Sequence, residues 1–497
     1  MEPQDIRSAK DSQKPRHEDS TSTRQGSERT ATNENYGERK RMSVLHEGAS
    51  MITTCMAQIL ALAGLGQGLA PLHIIGDSFG VNNEGELSWY LAAFSLIVGT
   101  FILPAGRLGD LYGHKTIFLI GTVWYGVWSL ISGFSVYSRS TLFSVCRGFQ
   151  GIGPALMVPN ALAIAGRSFV GKKKNYVFAC FGASAPAGAV LGGVFGATVF
   201  FPNSYLILPP DERDQSSETT KPTFDLAGTI TGVTGLILFN FAWNQAAVVG
   251  WSKPYTYILL VVGMLFFGLF VYIETHFAKV PLVLIESLSR EALYALSIIA
   301  CGWASFGIWV YFFWQLIENL RHHSALSAAA QQSPVALSGL LASLTAGYLF
   351  SRFHVAYIMV GAMLCFVTGQ ILLATAAVSQ TYWAQTFAAI LVMPWGMDMS
   401  FPAGTIILSN GMPREHQGIA ASLVNTVVNY SISLSLGTAG TIVRQTDPRH
   451  DNTLGSYRNA WYFAIGLDGL GLVIALYFLW ISVGRAKVSS QQFETRV

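Results

Sequence analysis

The chain has 497 residues, of which 51% are hydrophobic and only 12% are Asp, Glu, Lys or Arg. Soluble proteins carry about 25% charged residues, so a soluble chain of this composition could not cover its own surface. Large soluble enzymes, disordered scaffolds and disulfide-rich secreted proteins are therefore excluded, and a net charge of +3 is too small to indicate a nucleic-acid partner. The composition predicts an all-α polytopic protein embedded in a lipid bilayer.

Residues 1–48 are polar, and we expect a disordered cytoplasmic tail there. It is followed by apolar stretches, each long enough to cross a bilayer core about 30 Å thick. We predict thirteen spans, at 51–75, 87–107, 116–135, 141–165, 175–200, 225–249, 255–275, 292–317, 325–350, 355–377, 382–409, 416–443 and 459–483. Basic loops after the second and fourth spans and an acidic loop after the first place the N-terminus inside. Loop charge favours, weakly, a plan in which Arg290 and Arg352 are also inside.

The most specific motif, Gly106–Lys115, lies between the second and third spans. Glycines there permit a tight turn, and Asp110 lies among cations at the membrane edge. A salt-bridge cluster of this kind can break and re-form between two states, which predicts a cytoplasmic gate. Its members are Gly106, Arg107, Gly109, Asp110, Gly113, His114 and Lys115.

Three ionisable residues lie within predicted spans. An arginine in mid-bilayer costs about 2.5–3.5 kcal/mol on insertion scales, so Arg147 should face the bundle interior. Asp398, beside Pro394, and Asp468 lie in mid-span, where a carboxylate predicts a function by default. The alternative for both is a structural hydrogen bond, and Glu274, near a span end, is expected to be solvated.

Small residues in the fifth span would let two helices approach closely. The packing positions are Gly182, Pro186, Gly188, Gly192 and Gly193.

Several of these segments resemble those of a known family. Gly106–Lys115 resembles the loop 2–3 signature of the major facilitator superfamily, and Arg147–Gly153 resembles its fourth-helix motif R-x-x-Q-G-x-G. Three further segments look like segments of the fungal fourteen-span drug:proton antiporters: Phe224–Gly228, Phe239–Gln245 and Gly418–Thr426. The fifth span is similar to the antiporter motif of that family, with a different spacing.

The resemblance implies a major facilitator fold, in which two helical halves flank two extra central helices. The implied parts are an N-terminal half at 49–200 with five spans, a connector at 201–224, two inserted helices at 225–275, a cytoplasmic loop at 276–291, a C-terminal half at 292–483 and a tail at 484–497. It also implies a role for Arg147 in proton coupling, to which we add Asp398 and Asp468 as candidates.

Two features depart from the family pattern. The first span carries Leu62 and Gln67 where the branch has aspartate and asparagine, so proton coupling through a first-helix carboxylate is not expected. The segment around Pro202 to Pro209 contains only eight or so apolar residues, and prolines interrupt them. Such a stretch is too short to cross a bilayer, so we expect no full sixth helix at 196–223.

The chain lacks the G-x-x-x-x-G-K-[ST] loop of an ATP-driven pump, which leaves transport driven by an ion gradient. The substrate of such carriers lies between the halves near the midplane. The residues expected to line that cavity are Gln67, Gln150, Asn160, Trp303, Trp309, Gln315, Trp395 and Asn425.

We therefore predict a transporter, not an enzyme, that exports amphipathic small organic molecules, drugs or fungal metabolites, in exchange for protons. We expect a monomer in the plasma membrane, or in the vacuolar membrane, with no cofactor and no metal. One alternative is a transporter-derived protein that is inactive because a helix is missing. Another is a lipid-modifying membrane enzyme, although the histidines lack metal-ligand spacing.

Overall fold

In the computed structural model, the helical bundle is described over most of the chain. The described residues are 43–69, 72–81, 83–135, 138–169, isolated positions between 173 and 188, 225–278, 282, 288–410, 417–449 and 451–494. The predicted connector at 201–224, and with it the question of a sixth helix, lies outside them. Pro186, Gly192 and Gly193 also lie outside the described residues.

The first part of the bundle contains five described helices. They are α1 (Val44–Leu69), the short α2 (Leu72–Ser78), α3 (Glu84–Tyr112), α4 (His114–Phe134) and α5 (Ser140–Ser168). Helix α1 begins inside the segment predicted to be a disordered tail, and the first predicted span is divided between α1 and α2. The described positions of the fifth predicted span between 173 and 188 are helical.

The inserted pair consists of α6 (Leu226–Val249) and α7 (Pro254–His276). The C-terminal half then contains α8 (Arg290–Gln315), which ends in a π-helical turn at Leu316–Leu320, α9 (Ala325–Gln332), α10 (Pro334–Phe350), α11 (Val355–Ala374), α12 (Gln385–Asn410), α13 (Gln417–Thr446) and α14 (Thr453–Glu494). The predicted span 325–350 is divided between α9 and α10, and α14 extends beyond the predicted 459–483 at both ends. The other later helices agree with the predicted spans to within a few residues, and caps set several of their limits. For example, the side chains of Asp225 and Ser289 accept hydrogen bonds from the amides of Gly228 and Ala292, at 2.9 and 3.1 Å.

Ten helices among the described residues are long and apolar enough to cross a membrane. Burial separates central from peripheral members of this set. In the most apolar stretch of α3, 83% of the residues are buried, against 11% in α7. Helix α3 therefore lies inside the bundle, whereas α7 presents its apolar side chains outward, as a lipid-facing helix does.

Contacts between helix ends define two faces of the bundle. The Asp110 face is the one at which α3 ends, and the His73 face is the one at which α3 begins, next to α2. The start of α3 packs on the end of α6, because a Cβ built on Gly85 would lie 2.9 Å from the Ala247 carbonyl oxygen. The end of α13 meets the same region through Arg444, which donates to the Val248 carbonyl. The inserted helix α6 therefore runs from the Asp110 face to the His73 face and touches both halves.

The helices of the C-terminal half also run alternately from one face to the other. Helix α8 reaches the His73 face at Gln315, whose Oε1 lies 2.5 Å from His73 Nε2. Arg290, at the start of α8, therefore lies at the Asp110 face. The chain comes back to that face at the end of α10, where Arg352 follows. Both arginines thus lie at the same face as the signature turn, residues 106–115, as they do in the arrangement that loop charge weakly favours.

Candidate functional site

The signature turn joins α3 to α4 through a single residue, Gly113. This glycine has φ of +95°, a conformation that side chains rarely adopt. Asp110 Oδ1 lies 3.4 Å from His114 Nε2 and 3.7 Å from Arg167 Nη2 at the end of α5. Asp110 of α3 therefore lies beside the predicted member His114 of α4 and beside Arg167 of α5, which was not predicted.

The turn also lies against the C-terminal half. A Cβ built on Gly106 would be 3.1 Å from Ser422 Oγ of α13, so the two helices approach closely at this glycine. Arg107 lies within electrostatic reach of Asp110 and of Glu274 at the end of α7. The signature turn is thus placed where the N-terminal half, the C-terminal half and the inserted pair meet.

The expectation that Glu274 is solvated is wrong, because only 6% of this residue is exposed. Its Oε1 accepts a hydrogen bond of 3.1 Å from the Leu282 amide and lies 2.9 Å from a Cβ built on Gly228. Proximity to a span end indicates access to solvent only for a helix without a neighbour there. Leu282, which lies beyond the end of α7 in the chain, is the neighbour that bonds to this carboxylate.

Arg147 faces the interior of the bundle and is 2% exposed. Its Nε donates to the Tyr90 carbonyl at 3.1 Å, and its Nη atoms donate to Gln150 Oε1 and to the Gly64 carbonyl. The guanidinium carbon also lies 4.9 Å from the centre of the Phe94 ring. Among the described residues no carboxylate forms an ion pair with Arg147, so backbone and amide oxygens hold this cation.

A cleft with a cavity volume of about 60 Å³ opens between the two halves. Its polar lining consists of Gln58, Asp398, Asn425 and Asn429, and its aromatic lining of Phe94, Trp303 and Phe401. A neighbouring pocket of about 40 Å³, which contains Trp309, shares Leu62 and Met397 with this cleft. The rest of the lining that the structure describes is mostly aliphatic, so these described walls carry few polar groups.

The two mid-span aspartates lie in different surroundings. Asp398 lines the cleft at 7% exposure, and among the described residues its Oδ2 has no hydrogen-bond partner. Asp468 is fully buried within the C-terminal half, where Ser305 Oγ donates to its Oδ2 at 2.7 Å. Gln370 donates in turn to Ser305 Oγ at 2.8 Å. Only Asp398 is therefore placed to meet a molecule in the cleft.

Three of the eight residues expected in the cavity, Trp303, Trp309 and Asn425, line the cleft or the neighbouring pocket. Gln67 and Gln150 belong instead to the surroundings of Arg147, with Gln150 Nε2 donating to Ser129 Oγ at 2.7 Å and lying 3.4 Å from Gln67 Oε1.

The other three lie at the ends of the bundle or inside one half. Gln315 joins α8 to His73 of α2 at the His73 face. Asn160 contacts His114 of the signature turn, with Oδ1 at 2.7 Å from Nδ1. Trp395 packs against a cluster in the C-terminal half that consists of Ala346, Ile358, Ala362 and Met399. All three residues therefore take part in contacts between helices and do not line the cleft.

Of the predicted packing glycines that the structure describes, Gly188 lies directly against the Ile59 backbone of α1. Gly182 has open space around it and lines the cleft. The fifth span therefore approaches α1 closely at one glycine and faces the cavity at the other.

Sequence reasoning missed four cavity residues, Gln58, Phe94, Phe401 and Asn429. Asn429 could have been found, since it follows Asn425 by four residues and so lies on the same helical face. Nothing in the sequence separates Phe94 and Phe401 from the other aromatics of apolar spans.

Comparison with known proteins extends these observations. A family described as Major Facilitator Superfamily matches residues 51–438. A low affinity ammonium transporter of Saccharomyces cerevisiae is 52% identical over 468 residues, which cover 90% of this chain and 91% of the relative. The efflux pump terJ of Aspergillus terreus is 42% identical over 90% of this chain and 91% of its own length. The crystal structure of the human organic anion transporter MFSD10 (TETRAN) superimposes with a TM-score of 0.57 at 13% identity, covering 86% of this chain and 99% of that one.

Proposed function

Because the chain belongs to the major facilitator superfamily and is a multi-pass membrane transporter, we propose that it exports amphipathic small organic molecules in exchange for protons. The observation that carries this proposal is the cleft between the halves, in which Asp398 is the carboxylate among mainly apolar and aromatic side chains. We place the transporter in the plasma membrane, as a monomer.

The lining of the cleft supports an organic substrate, because drug-sized ligands bind in mostly apolar and aromatic pockets with a few polar groups. Its aromatic walls suit a bulky apolar body, whereas the Asp398 carboxylate suits a cationic group. The substrate class that fits best is therefore an organic cation with a large apolar part.

Asp398 also provides a site for exchange. A carboxylate in an apolar cavity is costly to leave charged and alone, so it binds either a proton or a cationic substrate. Binding one of them displaces the other, which is the requirement for antiport. In this proposal Arg147 and Asp468 complete the proton-coupling set, and the signature turn at Asp110 serves as the gate on the cytoplasmic side.

A second candidate is transport of ammonium, because a relative of 52% identity carries the name of an ammonium transporter. Ammonium is about the size of one water molecule, whose share of liquid volume is about 30 Å³. One water-sized molecule needs about 10–15 Å³ of cavity volume, and the cleft, with aromatic walls, has about 60 Å³. The cavity therefore favours the organic substrate.

Inside-out vesicles from yeast that express the chain can separate the two candidates. The membrane potential is clamped with valinomycin and potassium, the vesicle interior is acidified, and uptake of radiolabelled tetraphenylphosphonium or methylammonium is measured. Vesicles without the protein give the background for both probes. We expect uptake of tetraphenylphosphonium that depends on the pH gradient, and methylammonium uptake equal to background.

Asp398→Asn should reduce tetraphenylphosphonium uptake by at least about tenfold, the equivalent of 1.4 kcal/mol. Asp77→Asn is the matched control, because it makes the same change at an exposed site beyond the cleft. Undiminished uptake by Asp398→Asn would refute the exchange role. Methylammonium uptake without tetraphenylphosphonium uptake would assign the second candidate, and no uptake of either would favour a protein that has lost transport.

A further inference from the structure

The side chain of Asn160 of α5 lies beside the signature turn, in space that is free only because residue 109 is a glycine. A Cβ built on Gly109 would overlap Asn160 Oδ1 and would lie 2.5 Å from His114 Nδ1. Asn160 is fully buried and His114 is 4% exposed. The second glycine of the signature is therefore the position at which the asparagine and the histidine meet.

The hydrogen bonds of Asn160 fix the direction of its amide. Its Nδ2 donates to the carbonyls of Leu156 and Ala105, at 2.7 and 3.2 Å. Oδ1 therefore faces His114 Nδ1 at 2.7 Å and can only accept, so Nδ1 carries the proton. In the neutral ring Nε2 then has no proton and presents a lone pair.

His114 Nε2 lies 3.4 Å from Asp110 Oδ1. In the neutral ring two electron-rich atoms face each other across this gap, whereas a protonated ring donates to the carboxylate. Arg167 approaches the same Oδ1 at 3.7 Å from α5, and Lys115 follows His114 on α4. Asp110 and Arg167 are 47% and 64% exposed, whereas His114 is buried. Of these three residue types, histidine is the one that ordinarily changes charge near neutral pH.

We propose that Asn160 is a positioning residue of the signature turn. Asn160 holds one tautomer of His114. As a result the turn responds to the proton concentration at the Asp110 face, and so does the packing of Gly106 on Ser422 of α13. Protonated His114 ties the first turn of α4 to the last turn of α3 and holds α3 against α13. Neutral His114 releases this tie. The inference rests on the gating role proposed above for the turn.

A single cysteine at Ser422, with the five native cysteines replaced, reports on this packing. Ser422 is 3% exposed, so it reacts with an impermeant maleimide only when α3 leaves α13. Labelling rates are measured in inside-out vesicles between pH 5.5 and 8.5. Comparison of variants that carry the same reporter cancels the titration of the cysteine itself.

Two substitutions of His114 separate the roles of its nitrogens. His114→Asn places an amide donor near Nδ1, keeps the bond to Asn160 and removes the group that faces Asp110. We expect several-fold faster labelling at acid pH than in the parent. His114→Gln places a donor near Nε2, and we expect labelling at alkaline pH to be several-fold slower than in the parent.

Asn160→Ala should weaken the pH response, because the ring loses its anchor, whereas His276→Asn should leave the response unchanged. His276 is exposed at the same face and is the matched control. The parent pH response in His114→Asn would overturn the inference, even if Asn160→Ala failed to fold. Loss of tetraphenylphosphonium uptake with a response that still depends on His114 would refute the proposed substrate and leave this inference standing.

Discussion

Replacing Gly109 by alanine tests the close approach on which the signature turn depends. The new Cβ would overlap Asn160 Oδ1 and lie 2.5 Å from His114 Nδ1. Overpacking of this kind costs about 1–3 kcal/mol, and buried polar groups left unpaired cost about 1–3 kcal/mol more. Alanine returns about 1 kcal/mol through its better helix propensity. We therefore expect Gly109→Ala to lower the free energy of unfolding by about 1–5 kcal/mol.

The measurement is equilibrium unfolding in mixed micelles of a mild detergent and SDS, followed by circular dichroism. Gly466→Ala is the matched control, because this glycine of α14 has nothing within 4 Å of a built Cβ. The control should be as stable as the parent, or more stable by up to about 1 kcal/mol.

A double-mutant cycle identifies the cause of the destabilisation. In an Asn160→Ala background the overlap with Oδ1 is gone, so Gly109→Ala should cost less by about 0.5–3 kcal/mol. A Gly109→Ala protein as stable as the Gly466→Ala control would refute the packing argument. Strict additivity in the cycle would show that the strain arises elsewhere.

Three further outcomes are expected. Asp110→Asn should strongly reduce tetraphenylphosphonium uptake with unchanged membrane insertion, measured by vesicle transport and surface expression; full uptake would exclude a gating role. Arg147→Ala should still bind the probe but lose dependence on the pH gradient, and gradient-driven uptake at the parent level would contradict the coupling role. Cysteines at Ala247 and Gly440, whose Cβ atoms would lie 3.1 Å apart, should form a disulfide on oxidation. A thiol assay on the protein without its native cysteines measures this, and two free thiols after oxidation would contradict the packing of α6 on α13.

The helices could be predicted from the sequence because apolar length alone identifies a spanning helix. The eighth predicted span, 292–317, lies within two residues of the observed α8 at each end. A carboxylate in mid-span predicts a function, and the structure places Asp398 in the lining of the cleft. The roles of Arg147, Asp398 and Asp468 in proton coupling stay predictions.

The pairing of side chains across helices could not be predicted in the same way. Asn160 looks like a cavity residue in the sequence, yet it bonds to a histidine 46 positions away. That contact depends on how α3, α4 and α5 pack, which a pattern within one helix does not contain. The burial of Glu274 has the same origin, because Leu282 covers it from a different segment.

The position of α6 changes how many moving parts the protein has. Asn240 and Trp243 of this helix bond to Ser433 and Thr438 of α13, at 2.8 and 2.9 Å. The same Ser433 Oγ lies 3.1 Å from the Ala92 carbonyl of α3. A single helix thus joins one member of each half, so the halves cannot separate at this seam as two independent rigid bodies. Any motion that parts α3 from α13 must leave α6 attached to one of them and slide it along the other, which makes the inserted pair a third body in the mechanics of the molecule.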